Sequence, residues 1–123
     1  MKKILILFLF LNFGNVFASE FNSNFTKEAF EQAQKEGKTV VVYSWNKFCG
    51  TCNKQKPILK KAKQDFSDVL FLDYEQTKYK NIAKYLNINY WSTIAVYKDN
   101  KQIIKAIGLF KEDDIYSLIK KGI

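Results

Sequence analysis

Residues 45–57 read WNKFCGTCNKQKP and hold both cysteines of the 123-residue chain, Cys49 and Cys52. Two thiols at this spacing can exchange electrons, capture a metal or close a structural clip, and the flanking residues decide the fold in which they do so. Immediately upstream, TVVVYSW (39–45) is an unbroken β-branched and aromatic run. Such a run marks a strand buried on both faces, here a central, parallel one. Downstream, Ile58, Leu59, Ala62 and Phe66 fall on one side of a helical pattern, with Lys54, Lys56, Lys60, Lys61 and Lys63 spread over the rest. Pro57 lies inside this pattern, where it deletes a backbone donor and should kink the helix.

A cysteine pair between the end of a buried strand and the start of a helix has a chemical rationale. Cys49 falls at the helix N-terminus, where unpaired backbone N–H groups and the positive end of the dipole stabilise a thiolate. Lys47 and Lys54 add to that field. Cys52, one turn further in, can close a disulfide and is better shielded. Cys49 is therefore expected to attack and Cys52 to resolve.

The remaining elements follow from periodicity and turn chemistry. SNFTKEAFEQAQKEGK predicts a helix over 26–36, with Asn24 or Thr26 as N-cap, Phe25, Ala29, Phe30 and Ala33 at helical spacing, and Gly37 as the stop. DVLFLDY (68–74) predicts a second buried strand and KYKNIAKYL (78–86) a short helix. WSTIAVYKDNKQIIKAIG (91–108) reads as two strands joined at Asp99-Asn100, a favourable hairpin pair. KEDDIYSLIKKGI (111–123) begins acidic and ends in lysine, matching the dipole of a closing helix. The order gives a β-α-β unit followed by β-β-α, preceded by an extra N-terminal helix. The expected fold is α/β, a four-stranded mixed sheet covered by helices on both faces.

Composition narrows the chemistry. With 47% hydrophobic and 16% aromatic residues, the chain is expected to form one compact domain. It has no histidine, which excludes Ser-His and Cys-His pairs, HExxH zinc sites and mixed Cys/His fingers built from this chain alone. All 20 basic residues are lysine. The first residues carry the pattern of a signal peptide. MKK is a positive start, ILILFLFL a short apolar core, and NVFA places small Val16 and Ala18 before a cut. The apolar run stops at Asn12, short of the roughly 20 residues a bilayer span needs. Cleavage after Ala18 would leave residues 19–123 as the mature domain and lower the formal charge from +8 to +6 by removing Lys2 and Lys3. The expected location is periplasmic or otherwise exported. No stable membrane span is expected after cleavage. Outside the cytoplasm dithiols are driven toward disulfides. Export and the absence of arginine argue against nucleic acid as a partner.

In this context the chain resembles the thioredoxin-like superfamily, in particular its exported branch, over residues 25–121. The residues that carry the resemblance come in order: AFEQAQKEGK (29–38) ahead of the first strand, Trp45 four before Cys49, the tetrad Cys49-Gly50-Thr51-Cys52, Pro57 five after Cys52, Gly108 after the last strand, and LFKEDDIYSLIKK (109–121). It implies a thioredoxin-like fold and thiol:disulfide oxidoreductase activity with no cofactor beyond the Cys49–Cys52 couple. Implied partners are a protein disulfide or dithiol substrate and an electron donor or acceptor protein, the chain itself acting as a monomer. Substrate contacts are expected from Phe48, Gly50, Thr51, Trp91, Ser92 and Thr93. Tyr43, Trp45, Lys47 and Pro57 would tune the site.

Two departures bear on mechanism. The family places a cis-proline before the third core strand, against the CxxC, where it offers backbone groups to substrate and is thought to keep metal ions off the thiols. Here NYWSTIAVY puts Ser92 at that position and keeps Thr93. A cis bond before a non-proline residue costs about 2.5–4 kcal/mol, so a trans Trp91–Ser92 bond and a reshaped loop are expected. Tyr43 stands six before Cys49, where many thioredoxins have a buried acid that takes a proton from the resolving cysteine. A phenol, with a reference pKa of about 10, is a poor base at neutral pH. Proton transfer at Cys52 is thus expected to use water or a lysine, and turnover to be slow.

A purely structural disulfide is disfavoured, because a two-residue loop constrains the unfolded chain very little. Two other readings stay open at this point. One is a metal-binding or metal-transfer module holding Cu(I) on the two thiolates. The other is a redox-silent interaction domain. The expectation that leads is an exported oxidoreductase of narrow partner range, its direction set by a reduction potential that the residues do not encode.

Overall fold

The computed structural model describes residues 21–123. The expected signal segment and its cut near Ala18 lie outside the described residues. The elements run α1 (Lys27–Lys35), β1 (Val40–Trp45), α2 (Gly50–Asp65), β2 (Leu70–Glu75), α3 (Lys80–Leu86), β3 (Thr93–Lys98), β4 (Lys101–Ile107) and α4 (Glu112–Lys120). The expected order of elements is thus observed.

The sheet has strand order β2-β1-β3-β4, with β1 parallel to β2 and antiparallel to β3, and β3 antiparallel to β4. Its central strands are buried on both faces, as their unbroken apolar runs require. Alternation sends Val40 and Val42 to a core with Phe30, Leu72, Tyr74 and Leu86, beneath α1 and α3. Val41, Tyr43 and Trp45 point the other way, to a core with Cys52, Leu59, Ile94, Ile115 and Ile119, beneath α2 and α4. The cysteine pair therefore belongs to the second core. Each fully buried aliphatic side chain contributes about 1.5–3 kcal/mol, so α2 is anchored by Leu59 and its neighbours rather than by its lysine-covered outer side.

Turn chemistry closes the elements as read. Thr26 is the N-cap of α1, its hydroxyl oxygen accepting from Ala29 N at 3.1 Å. Gly37 leaves α1 at φ 74°. Asp99 and Asn100 take φ 51° and 63°, the doubly left-handed turn that suits a two-residue hairpin. The outer edge of β2 is covered by the chain before α1. Phe25 N donates to Asp73 O (3.0 Å), and Asp73 N donates to Asn24 Oδ1 (2.7 Å). Among the described residues no helix is long and apolar enough to cross a membrane.

The C-terminal end is held by a close backbone approach. Thr39 Oγ1 donates to Gly122 O, and a Cβ on residue 122 would collide with Val96 Cγ1 and Thr39 Cγ2. Both neighbours are stiff β-branched side chains, Val96 in β3 and Thr39 just before β1. Gly122→Ala should therefore cost about 1–3 kcal/mol and lower Tm by some 5–20 °C in thermal unfolding; an unchanged Tm would mean that the last residues swing clear without loss.

Candidate active site

The loop between β1 and α2 is shaped by Asn46. This residue is buried, its Oδ1 accepts from Phe48 N (2.9 Å), and its Nδ2 donates to Thr77 Oγ1 (2.6 Å) across the loop that follows β2. Its carbonyl accepts from Cys49 N at 3.2 Å. An Asn side chain folding back on the backbone two residues later is a local turn device. Its effect is to deliver Cys49 to the N-cap of α2, with extended φ −89° and ψ 109°.

Cys49 and Cys52 form a disulfide with their Cα atoms 5.2 Å apart. Cys52 N donates to Cys49 Sγ at 3.0 Å, so the sulfur takes the place of a capping oxygen on one of the helix's free N–H groups. Both cysteines are buried, Cys52 completely and Cys49 at 3% exposure. Gly50 is exposed and Thr51 half-buried in the first turn, and Pro57 lies within α2 at an exposed position.

Exposed aromatic side chains lie in the loops on either side of the pair in sequence. Phe48 is 82% exposed with Lys47 Nζ 5.3 Å from its ring centroid, and Trp91 is 42% exposed. Trp45, by contrast, is buried, with Lys56 Nζ 4.5 Å over its ring. Thr93 is buried and its Oγ1 donates to Tyr90 O at 2.7 Å, closing the turn that presents Tyr90 and Trp91. Phe110, half exposed with Lys54 Nζ 5.2 Å over its ring, lies in the β4–α4 loop. A groove of about 320 Å³ lined by Tyr90, Trp91, Ser92 and Ile107 runs beside the loop before β3.

The backbone of the loop before β3 is unusual at Ser92. The Trp91–Ser92 bond is trans, and Ser92 takes φ 56°, in the left-handed region. For a serine that conformation costs roughly 1–2 kcal/mol. Its carbonyl accepts from Gly108 N (3.0 Å) and from Gln55 Nε2 (3.2 Å), the latter on α2.

Tyr43 is buried, and its hydroxyl donates to Cys52 O at 3.4 Å. Burial, and then the neighbouring Asp73 carboxylate, push its pKa above the ordinary tyrosine value, so it stays protonated. Asp73 is its register partner on β2 and shares its face of the sheet. Among the described residues it is the one buried acid. Asp73 Oδ2 accepts from Trp45 Nε1 (2.8 Å) and from Ser23 N (3.0 Å). Burial nevertheless raises its pKa above the ordinary carboxyl value, outweighing those hydrogen bonds and Lys63. A carboxylate therefore stands beside Tyr43, one strand over. Asn46, Gln55, Asp73 and Phe110 are the site residues that the sequence reading passed over.

These features agree with what the chain is similar to. The Thioredoxin family profile matches residues 21–121. The chain is 38% identical over 84 residues to the chloroplastic F-type thioredoxin of Pisum sativum, a match covering 67% of this chain and 45% of the pea protein. It thus spans less than half the length of that relative. It is 32% identical over 81 residues to a thioredoxin of Mycoplasma genitalium, covering 66% of this chain and 79% of the relative. The crystal structure of Trxlp from Edwardsiella tarda superposes with a TM-score of 0.73 at 20% identity, over 77% of this chain and 94% of that one, a likeness of fold. With a cysteine pair capping α2 beneath a four-stranded mixed sheet and a profile match across nearly all described residues, the chain belongs to the thioredoxin family.

Proposed function

We infer that this chain is an exported thiol:disulfide oxidoreductase that exchanges its Cys49–Cys52 couple with partner proteins. The observation that carries this reading is the Cys52 N–H held 3.0 Å from Cys49 Sγ at the first turn of α2. In the reduced protein the same N–H and the helix dipole favour a Cys49 thiolate. That thiolate attacks one sulfur of a partner disulfide and expels the other as a thiolate, which takes up a proton. Cys52 then gives up its proton and attacks Cys49 Sγ. The intramolecular disulfide forms, the second partner sulfur leaves, and two electrons have passed to the partner. Run backward, the same steps oxidise a partner dithiol.

Several residues support the finer parts of the reading. The signal-like first residues support export. The exposed aromatic side chains of Phe48, Tyr90, Trp91 and Phe110 support selective contact with protein partners. For the proton leaving Cys52, Asp73 is the acceptor this face offers, since Tyr43 is held as a donor by burial.

In an insulin-reduction assay driven by dithiothreitol, Cys49→Ser should abolish turnover, and Cys52→Ser should accumulate a mixed disulfide with insulin on non-reducing gels. Turnover that survives Cys49→Ser would defeat the proposal. Asp73 gives a separate test through stability. Its pKa is raised on folding, so its proton stabilises the folded state at low pH, and that contribution is lost as pH rises through the raised value. From about pH 4 upward, the wild type should lose stability relative to Asp73→Asn until the carboxyl is fully ionised. A difference in Tm that does not change with pH would show that Asp73 titrates normally.

A further inference from the structure

Gln55 stands on α2 three residues after Cys52, one turn along the same side of the helix. It is fully buried, on a helix whose outer positions are largely lysine. Its Nε2 donates to Leu109 O (2.7 Å) and to Ser92 O (3.2 Å). Both partners are acceptors only, which fixes the orientation of the amide. Among the described residues its Oε1 has no hydrogen-bond partner and is buried. A leucine here would fill a similar volume and remove the orphaned Oε1, at the cost of the donor to Leu109 O. Packing alone thus gives no reason for glutamine, and what the amide adds is its two donated bonds.

Those bonds run to two separate loops. Ser92 precedes β3, and Leu109 lies between β4 and α4. Ser92 O also accepts from Gly108 N at 3.0 Å, so both lone pairs of that carbonyl are engaged. A proline ring would fix φ by itself. Serine has no such lock, and Ser92 nonetheless sits at φ 56°. The hydrogen bonds from Gln55 and Gly108 therefore supply a constraint that the residue lacks.

We propose that Gln55 is a positioning residue for exchange with protein disulfides. Its amide ties the Ser92 peptide, and with it the exposed Trp91, to the helix that carries Cys49 and Cys52. The partner's backbone then meets a loop held in register with the disulfide. The proposal rests on the oxidoreductase reading above, in which the exposed Trp91 contacts the partner. Gln55 touches no reacting atom in this account.

The test compares wild type with Gln55→Leu and Gln55→Met, two apolar side chains of similar volume, using insulin and the small disulfide 5,5′-dithiobis(2-nitrobenzoate). For insulin, kcat/KM should fall about tenfold, mostly through KM, a loss of about 1.4 kcal/mol of transition-state stabilisation. The small disulfide should react within about twofold of wild type, because it needs Cys49 and not the loop. Tm should change by no more than a few degrees, since loss of the orphaned Oε1 offsets loss of the donor to Leu109 O. A folded variant that reduces insulin as wild type does, or that loses both reactions equally, overturns the assignment. So does failure of both variants to fold, which would make Gln55 a folding element. Wild type that cannot reduce insulin while retaining the small-disulfide reaction would instead overturn the protein-disulfide reading itself, and this proposal with it.

Discussion

The free N–H groups that open helix α2 are the constraint around which the site is built. Cys49 takes the cap position, and the Cys52 N–H lies against its sulfur at 3.0 Å. The rest of the fold makes that contact reproducible. β1 is paired on both sides, α2 is anchored by Leu59 and Ala62 in the core it shares with α4, and Asn46 shapes the turn between strand and helix. A helix N-terminus is a modest electrostatic device, worth about 0.3–1 kcal/mol at an exposed position and up to about 2 where partly buried. Here Cys49 is almost fully buried, so the dipole and the N–H act with little competition from solvent.

Around this centre, the chain solves two problems with residues that stand away from the cysteines in sequence. The loop before β3 takes a trans bond and a left-handed Ser92, tied down by donors from Gln55 and Gly108. The buried acid stands on β2 at Asp73, beside Tyr43 in register, and is braced by Trp45 Nε1. In both cases a residue from a different element, Gln55 on α2 or Asp73 on β2, stands beside the position in question. Two of the exposed aromatics, Phe48 and Phe110, carry a lysine over the ring, which pairs apolar area with positive charge.

How much of this was legible depended on the range of each interaction. The buried strands showed because VVVYSW and TIAVY are unbroken runs, and the hairpin because Asp-Asn tolerates two left-handed residues. The place of Cys49 at the start of α2 was readable because helix-start chemistry is local. Asp73 was hidden within DVLFLDY, where an acid near the end of an apolar run reads as a strand terminus. Only the β1–β2 register places it next to Tyr43. Gln55 looked like one more polar residue on a lysine-rich helix, and its partners lie 37 and 54 residues away. Asn46 carried a signal that was missed, since Asn two residues before Phe48 is a known turn former.

The central claim is that the start of α2 keeps the Cys49 sulfur ionised in the reduced protein. Its most direct test is the rate of iodoacetamide alkylation as a function of pH, measured on reduced Cys52→Ser so that one thiol reports. The account predicts an inflection clearly below the free-thiol value of about 8.5, moving toward that value when Lys47 and Lys54 are both replaced by Gln. An inflection at or above the free-thiol value would contradict it.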